Sequence, residues 1–110
     1  MIITKETMVF VNKKFANGTL INGSLDFAIK VKTDHMFGNL PHILRALLVD
    51  HSFEDGNKRT AAFLLINYCE ENRVPCNEER VVKTIRRMAQ TNPSEITKIR
   101  SMMKYALSSR

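Results

Sequence analysis

The chain has 110 residues, a length that suits a single domain over residues 1–110 and leaves no room for two full domains. Hydrophobic residues make up 44% of the sequence and charged residues 25%, which is typical of a globular protein and excludes a disordered or collagen-like chain. The formal net charge is +6 at pH 7. This excess is uneven, because residues 1–72 hold eight Lys/Arg and eight Asp/Glu, whereas residues 73–110 hold nine and three.

The sequence contains no apolar run of the roughly 20 residues that a membrane span requires. Lys5 and Glu6 lie where a signal peptide would have its apolar core. We therefore expect a cytoplasmic protein with no membrane partner. Cys69 and Cys76 are too few for a disulfide framework and form no local metal-ligand motif with the histidines, so two buried or idle thiols are expected.

The first predicted helix starts at Thr4 and stops at the Asn-Gly step of residues 17–18. Its apolar stripe has helical spacing and consists of Met8, Val9, Val11 and Phe15. A second Asn-Gly step follows at residues 22–23, and this dipeptide tolerates the positive φ angles of tight turns. Residues 17–33 are therefore predicted to form an exposed loop or a short β-hairpin.

Four further elements are predicted after this loop. Asn39 is a candidate cap for a helix over about residues 41–50, and a second helix follows over about residues 57–71. Both are apolar on nearly all sides, which predicts that they are central. An amphipathic helix follows Pro75, and a last helix opens at Asn92-Pro93. The predicted fold class is all-α.

Polar residues are concentrated between the two core helices, in the segment His51-Ser52-Phe53-Glu54-Asp55-Gly56-Asn57-Lys58-Arg59-Thr60. If a helix starts near Asn57, the free N–H groups of its first turn form an anion site. Lys58 and Arg59 would add positive charge for phosphate oxygens. Asp55 is placed to hold Mg²⁺ beside those phosphates, and His51 is able to accept a proton from a hydroxyl near neutral pH.

These residue types together indicate transfer of a phosphate-containing group. The same segment is also compatible with a plain capped helix start that carries surface charges and a loop histidine. An aromatic residue within such a short loop, here Phe53, is most often an anchor into the core.

The pattern His51-x-Phe53-x-Asp55-Gly56-Asn57-Lys58-Arg59 resembles the signature of the Fic/Doc (Fido) family, His-x-Phe-x-(Asp/Glu)-(Gly/Ala)-Asn-(Gly/Lys)-Arg. The run Gly23-Ser24-Leu25-Asp26-Phe27 looks like the flap region of small members of that family. The resemblance covers about residues 4–105, and only residues 51–59 are highly specific. It implies a compact Fido-type helical bundle with a short β-hairpin or flap before the motif helices.

The resemblance implies a role for each motif residue. His51 would be the general base that deprotonates a hydroxyl of a target protein, and Asp55 would hold Mg²⁺ against the phosphates of ATP. Phe53 would anchor the loop. The residues that would bind the nucleotide phosphates are Gly56, Asn57, Lys58 and Arg59.

The resemblance also implies a docking role for the flap, which is defined here as residues 20–27. The flap would pair with an extended segment of the target by adding a strand, which places the target hydroxyl near His51. The residues expected to make this contact are Leu20, Ile21, Asn22, Gly23, Ser24 and Leu25.

Two subfamilies differ in their chemistry. Fic enzymes transfer AMP from ATP and carry Gly after the motif Asn and a second Arg three positions after the first. Doc-type toxins carry Lys after the Asn, lack the second Arg and transfer the γ-phosphate. This chain has Lys58 after the motif Asn and has Ala62 where Fic enzymes carry the second Arg. A Doc-like kinase of Ser/Thr hydroxyls is therefore expected. Gly56 is the Fic-like choice, so AMP transfer stays as the alternative.

Many Fic proteins carry an inhibitory helix with the pattern Ser/Thr-x-x-x-Glu-(Gly/Asn). Glu71-Asn72 is the one candidate here, and it fails because Asn67 occupies the Ser/Thr position. A separate antitoxin would then have to restrain the activity, as in Doc systems.

A third hypothesis is a non-catalytic module that binds phosphate and contacts nucleic acid through residues 73–110. No aromatic residue interleaves with the cations of this region, Lys83, Arg86, Arg87, Lys98 and Arg100, so the base-stacking part of a single-strand platform is missing. Nucleic acid is therefore the less favoured partner.

Overall fold

Helices make up most of the chain in the computed structural model, which describes residues 3–107. Within that range the elements are α1 (Lys5–Asn12), α2 (Ser24–Lys30), α3 (Leu40–Leu48), α4 (Asn57–Glu71), α5 (Glu78–Thr91) and α6 (Ile96–Ala106). The radius of gyration is 12.7 Å, the size of a compact domain of this length. The predicted all-α class is confirmed for the described residues, and the ends of the predicted domain, residues 1–2 and 108–110, lie outside them.

Helix α1 begins as the sequence predicts and ends earlier. Thr4 accepts a hydrogen bond from the N–H of Thr7, and the Thr7 hydroxyl accepts one from the N–H of Thr4, which caps the first turn. The predicted end at residues 17–18 is wrong, because the helix stops at Asn12. The carbonyl of Asn12 accepts from the N–H groups of both Phe15 and Ala16 in a tight turn.

The segment 17–33 differs from the predicted loop or hairpin. Residues 24–30 form α2, whose buried residues Leu25 and Ala28 pack into the core. The described residues contain no hairpin there; the pairing that exists is one antiparallel bridge between Leu20 and Phe53. Leu25 and Ala28 lie three positions apart, a spacing that places both on one face of a helix but on opposite faces of a strand.

Helix α3 lies at the centre of the bundle and contacts α2, α4, α5 and α6. Its apolar residues are buried on several sides, as the sequence predicts. The expected cap by the Asn39 side chain is not made; the Nδ2 of Asn39 donates to the carbonyl of Ile29 and ties the start of α3 to α2. Helix α4 covers the predicted residues 57–71.

Helices α5 and α6 pack against each other at one side of α3 and α4. Asn77 caps α5 by accepting from the N–H of Arg80, and Asn92 ends this helix in the left-handed conformation with φ 52°. Both helices bury one apolar stripe and leave the opposite face to solvent. Over residues 3–107, no helix has the length and apolar character needed to cross a membrane.

Candidate functional site

The segment between α3 and α4 forms one wall of a cavity of about 380 Å³. The C-terminal end of α3, the turn after α1 and one residue of α5 contribute the rest of the lining. The lining residues are Phe15, Leu47, Leu48, His51, Glu54, Asp55, Gly56, Asn57, Lys58, Arg59 and Ala89. The fold therefore brings the predicted base, carboxylate and cations to one opening, with an apolar floor beneath them.

His51 has a backbone conformation that is uncommon for a residue with a Cβ. Its φ is 52°, in the left-handed region, and its side chain is exposed at the cavity. The Asn22 amide donates to the carbonyl of Asp50 at 2.8 Å and to that of His51 at 3.3 Å. These contacts hold the turn that directs the imidazole outward, so Asn22 of the flap contacts the motif loop itself.

Residues Ser52 and Phe53 fix the loop to the core. Both are fully buried, and Phe53 belongs to the main hydrophobic cluster. The Ser52 hydroxyl donates to the carbonyl of Ala46 in α3 at 2.8 Å and lies 2.7 Å from the Ser24 hydroxyl of α2. The loop is thus anchored by an aromatic side chain and by a buried hydroxyl that joins two helices.

The side chain of Asn57 is not directed at the phosphate site. Its Oδ1 accepts from the N–H of Phe53 at 3.0 Å, and its Nδ2 donates to the carbonyl of the same residue at 2.9 Å. This pair of bonds closes the loop into a ring. The part of Asn57 that is left for an anion is its backbone N–H.

The start of α4 offers backbone donors and positive charge. The N–H groups of Asn57, Lys58 and Arg59 have no acceptor among residues 3–107, as expected for a first helical turn. The side chains of Lys58 and Arg59 are exposed at the cavity. The helix dipole and the two cations therefore make this end of the cavity attractive to an anion such as a phosphate group.

Gly56 takes a conformation that only glycine adopts at low cost. It has φ 77° and precedes the first residue of α4. A Cβ at this position would lie 2.9 Å from the Cβ of Ala16 and 3.0 Å from Nδ2 of Asn12. Glycine is therefore required here by the close approach of the loop to the turn after α1.

Asn12 is the residue that the sequence did not identify. It is fully buried, and its Nδ2 donates to the carbonyl of Asp55 at 2.9 Å and to the Thr60 hydroxyl at 3.1 Å. Its Oδ1 accepts from the N–H of Gly18 at 2.9 Å. Asn12 thus joins α1, the motif loop and α4; its place within the apolar stripe of α1 was the available signal.

The carboxylate of Asp55 is exposed at the cavity. Its Oδ1 accepts from the N–H of Gly56 at 2.8 Å, and its second oxygen has no hydrogen-bond partner in the described part of the chain. Over residues 3–107, no three His, Cys, Asp or Glu side chains come together as a metal-binding group. Mg²⁺ characteristically takes one or two protein carboxylates together with substrate phosphates and water, so a single exposed carboxylate beside an anion site fits that ion.

The flap residues divide into those that face the loop and those that do not. The N–H of Ile21 donates to the carbonyl of Ser52, and the N–H of Glu54 donates to the carbonyl of Thr19. Leu20 lies between these bonds, and its own N–H and carbonyl have no partner among residues 3–107. In such a pair the central residue directs these groups away from the neighbouring strand.

The remaining flap positions are less suited to target contact. Leu25 is 1% exposed and belongs to the core, so its expected role in docking is wrong. Ser24 is half-buried and bonded to Ser52 and Asn22, whereas Gly23 is exposed and precedes α2. Ile21 is 57% exposed.

Comparisons of the chain with protein-family models, with curated proteins and with solved structures found no match. The functional inference below therefore depends on the geometry and the residue pattern of the site.

Proposed function

We propose that this protein is a Doc-like member of the Fic/Doc family, which transfers the γ-phosphate of ATP to a Ser or Thr hydroxyl of a target protein. The observation that carries the proposal is the convergence of His51, Asp55 and the cationic start of α4 on one cavity. The similarity of residues 51–59 to the Fic/Doc motif is the reason for proposing this family. The Fido-type arrangement of the helices and the toxin role are part of the same proposal.

His51 is the base in this proposal. Its imidazole is exposed at the cavity and has no hydrogen-bond partner among residues 3–107, so it is open to a hydroxyl of the target. The hydroxyl oxygen bonds to the γ-phosphorus, the bond from that phosphorus to the bridging oxygen of ADP breaks, and the hydroxyl proton passes to His51. The left-handed backbone at this residue directs the ring outward, toward the target.

The start of α4 holds the phosphates. The free N–H groups of Asn57, Lys58 and Arg59 and the two cationic side chains offset the negative charge of the triphosphate. Asp55 would hold Mg²⁺ beside them, and this ion, when bound, stabilises negative charge on the phosphate oxygens. The apolar residues Leu47 and Leu48 line the same cavity.

The choice of the γ-phosphate depends on Lys58 and Ala62. Lys58 fills space and adds charge in the phosphate site, and Ala62 offers no second guanidinium to clamp the phosphates of an AMP-transferring pose. Gly56, the Fic-like residue, is required by the backbone at φ 77° and by its distance to Ala16. Its identity therefore does not favour AMP transfer.

Leu20 is the proposed docking point for the target. Its backbone N–H and carbonyl, on the outer side of the bridge to Phe53, have no partner among residues 3–107, so an extended segment could add as a strand there. The exposed side chain of Ile21 is its neighbour. No inhibitory motif is present in the sequence, so restraint of the activity is assigned to a separate antitoxin protein.

The test is a labelling experiment with purified protein, Mg²⁺ and a cell extract. Parallel reactions contain ATP labelled on the α-phosphate or on the γ-phosphate. The proposal expects a protein band labelled from the γ-phosphate alone and lost in His51→Ala. His35→Ala is the matched control, because it removes a histidine that lies outside the cavity.

Label from the α-phosphate would replace phosphate transfer with AMP transfer at the same site. Absence of label from both nucleotides, together with ATP binding that Lys58→Ala and Arg59→Ala weaken, would indicate a site that binds nucleotide without transfer. Absence of both label and binding would overturn the proposal.

A further inference from the structure

A second concave surface lies between α5 and α6. This groove has a volume of about 500 Å³ and shares no lining residue with the cavity at His51. Its lining residues are Lys83, Thr84, Arg87, Thr91, Lys98, Ser101, Met102 and Tyr105. Cations are contributed by both helices, and no Asp or Glu belongs to the lining.

The charged groups that the groove offers to a ligand are all cationic. Thr84, Thr91 and Ser101 donate their hydroxyl protons to carbonyls one turn earlier in their own helices. The side chains of Lys83, Arg87 and Lys98 are exposed and have no partner among residues 3–107. The available donors are therefore these three cations and the Tyr105 hydroxyl, and they suit a ligand that carries negative charge and accepts hydrogen bonds.

Apolar surface lies within the same groove. Tyr105 is 63% exposed, and Met102 is half-buried beside it. A free phosphate or another small anion would leave the Met102 side chain and the Tyr105 ring uncovered. A ligand that combines carboxylates with apolar side chains would cover both parts of the groove.

The fold adds an aromatic residue to the basic surface, which sequence spacing had not indicated. The position of Tyr105 does not make it a base-stacking platform. The Arg80 guanidinium lies 5.1 Å from the centre of the Tyr105 ring and covers one of its faces. A nucleic-acid site of the single-strand type uses several open aromatic faces, so the groove favours a protein partner.

We infer that the groove between α5 and α6 binds an acidic segment of a partner protein. Carboxylates of that segment pair with Lys83, Arg87 and Lys98, and an apolar side chain packs on Met102 and Tyr105. The inference stands apart from the proposed phosphate transfer, because the two sites have no lining residue in common.

The test measures binding of a fluorescein-labelled peptide of Glu-Glu-Leu-Ala repeats by fluorescence anisotropy at low salt. A peptide with Gln in place of every Glu and a single-stranded oligo(dT) with the same label are the comparison ligands. The double variant Lys83→Glu/Arg87→Glu should bind the acidic peptide about tenfold more weakly. The control Arg86→Glu/Lys104→Glu makes the same change in net charge at one residue of α5 and one of α6, both outside the groove lining.

The inference requires that the acidic peptide binds more tightly than both comparison ligands, and that the control variant keeps most of this affinity. Lys98→Glu alone should also weaken binding of the acidic peptide, which tests the contribution of α6 separately from that of α5. Circular dichroism establishes that each variant is folded. Equal losses in both double variants, tighter binding of oligo(dT), or no binding of the acidic peptide would each overturn the inference.

Discussion

Substitution of Gly56 by alanine places a methyl group where the motif loop meets the turn after α1. Two separate effects act at this position. The backbone has φ 77°, which a residue with a Cβ adopts at a cost. The new Cβ would also lie 2.9 Å from the Cβ of Ala16 and 3.0 Å from Nδ2 of Asn12. The neighbours are a short side chain and a buried amide with its own hydrogen bonds, so neither moves freely.

The expected loss of stability is the sum of these effects. The left-handed backbone contributes about 1 kcal/mol, and overpacking against a fixed neighbour contributes about 1–3 kcal/mol. Gly56→Ala should therefore lower the free energy of unfolding by about 2–4 kcal/mol. For a domain of this size, that loss lowers Tm by about 10–20 °C.

Thermal and urea unfolding of three variants separates the two effects. Gly38 has φ 58°, and a Cβ added there would meet no atom within 4 Å beyond its chain neighbours, so Gly38→Ala measures the backbone cost alone. Gly23 has φ −94° and its nearest contact is at 3.8 Å, so Gly23→Ala should be close to neutral. The expected order of destabilisation is Gly56→Ala, then Gly38→Ala, then Gly23→Ala.

Equal stability of the Gly56 and Gly38 variants would refute the reasoning about close contact. A Gly56→Ala protein as stable as the unchanged chain would refute both parts. In that case the identity of Gly56 would again count in favour of the AMP-transferring alternative.

Asn12→Ala should lower the free energy of unfolding by about 2–4 kcal/mol, because it removes one buried and two part-buried hydrogen bonds, those to Thr60, Asp55 and Gly18. Urea unfolding checks this, with the exposed Asn17→Ala as the near-neutral control, and equal losses would contradict it. Burial raises the pKa of the Cys69 thiol to about 12, so iodoacetamide at mildly alkaline pH should modify Cys76 before Cys69. Peptide mass mapping would measure the order, and faster modification of Cys69 would disprove the prediction. Burial, with the charges of nearby arginines, lowers the pKa of His42 below its ordinary value of 6.5. As pH falls, the His42 imidazole takes up a proton in the unfolded chain before it does so in the folded chain, so the free energy of unfolding should fall as pH drops below 6.5. The free energy of unfolding of His42→Gln should depend less on pH. An unchanged dependence would argue against His42 as the group responsible.

The sequence by itself determined the elements whose signals are local. The all-α class, the limits of α4 and the buried faces of α3, α5 and α6 follow from apolar spacing along each helix. The cap at Thr4 follows from residues within one turn. The chemical character of residues 51–60 was also readable, because a base, a carboxylate and two cations stand together in the chain.

The tertiary structure alone decided the features that depend on contacts between distant residues. Asn12 is bound to Asp55 and Thr60, more than forty positions away, so its place within the apolar stripe of α1 could indicate burial but not these partners. Leu25 is buried because α2 packs on α3, whereas the sequence had indicated a docking role for this residue. The side chain of Asn57 closed the motif loop because burial of Phe53 left backbone groups that required partners. The periodicity of a sequence shows which face of a helix or strand is apolar. The hydrogen-bond partners of buried polar groups depend on how the elements pack against each other, which periodicity does not show.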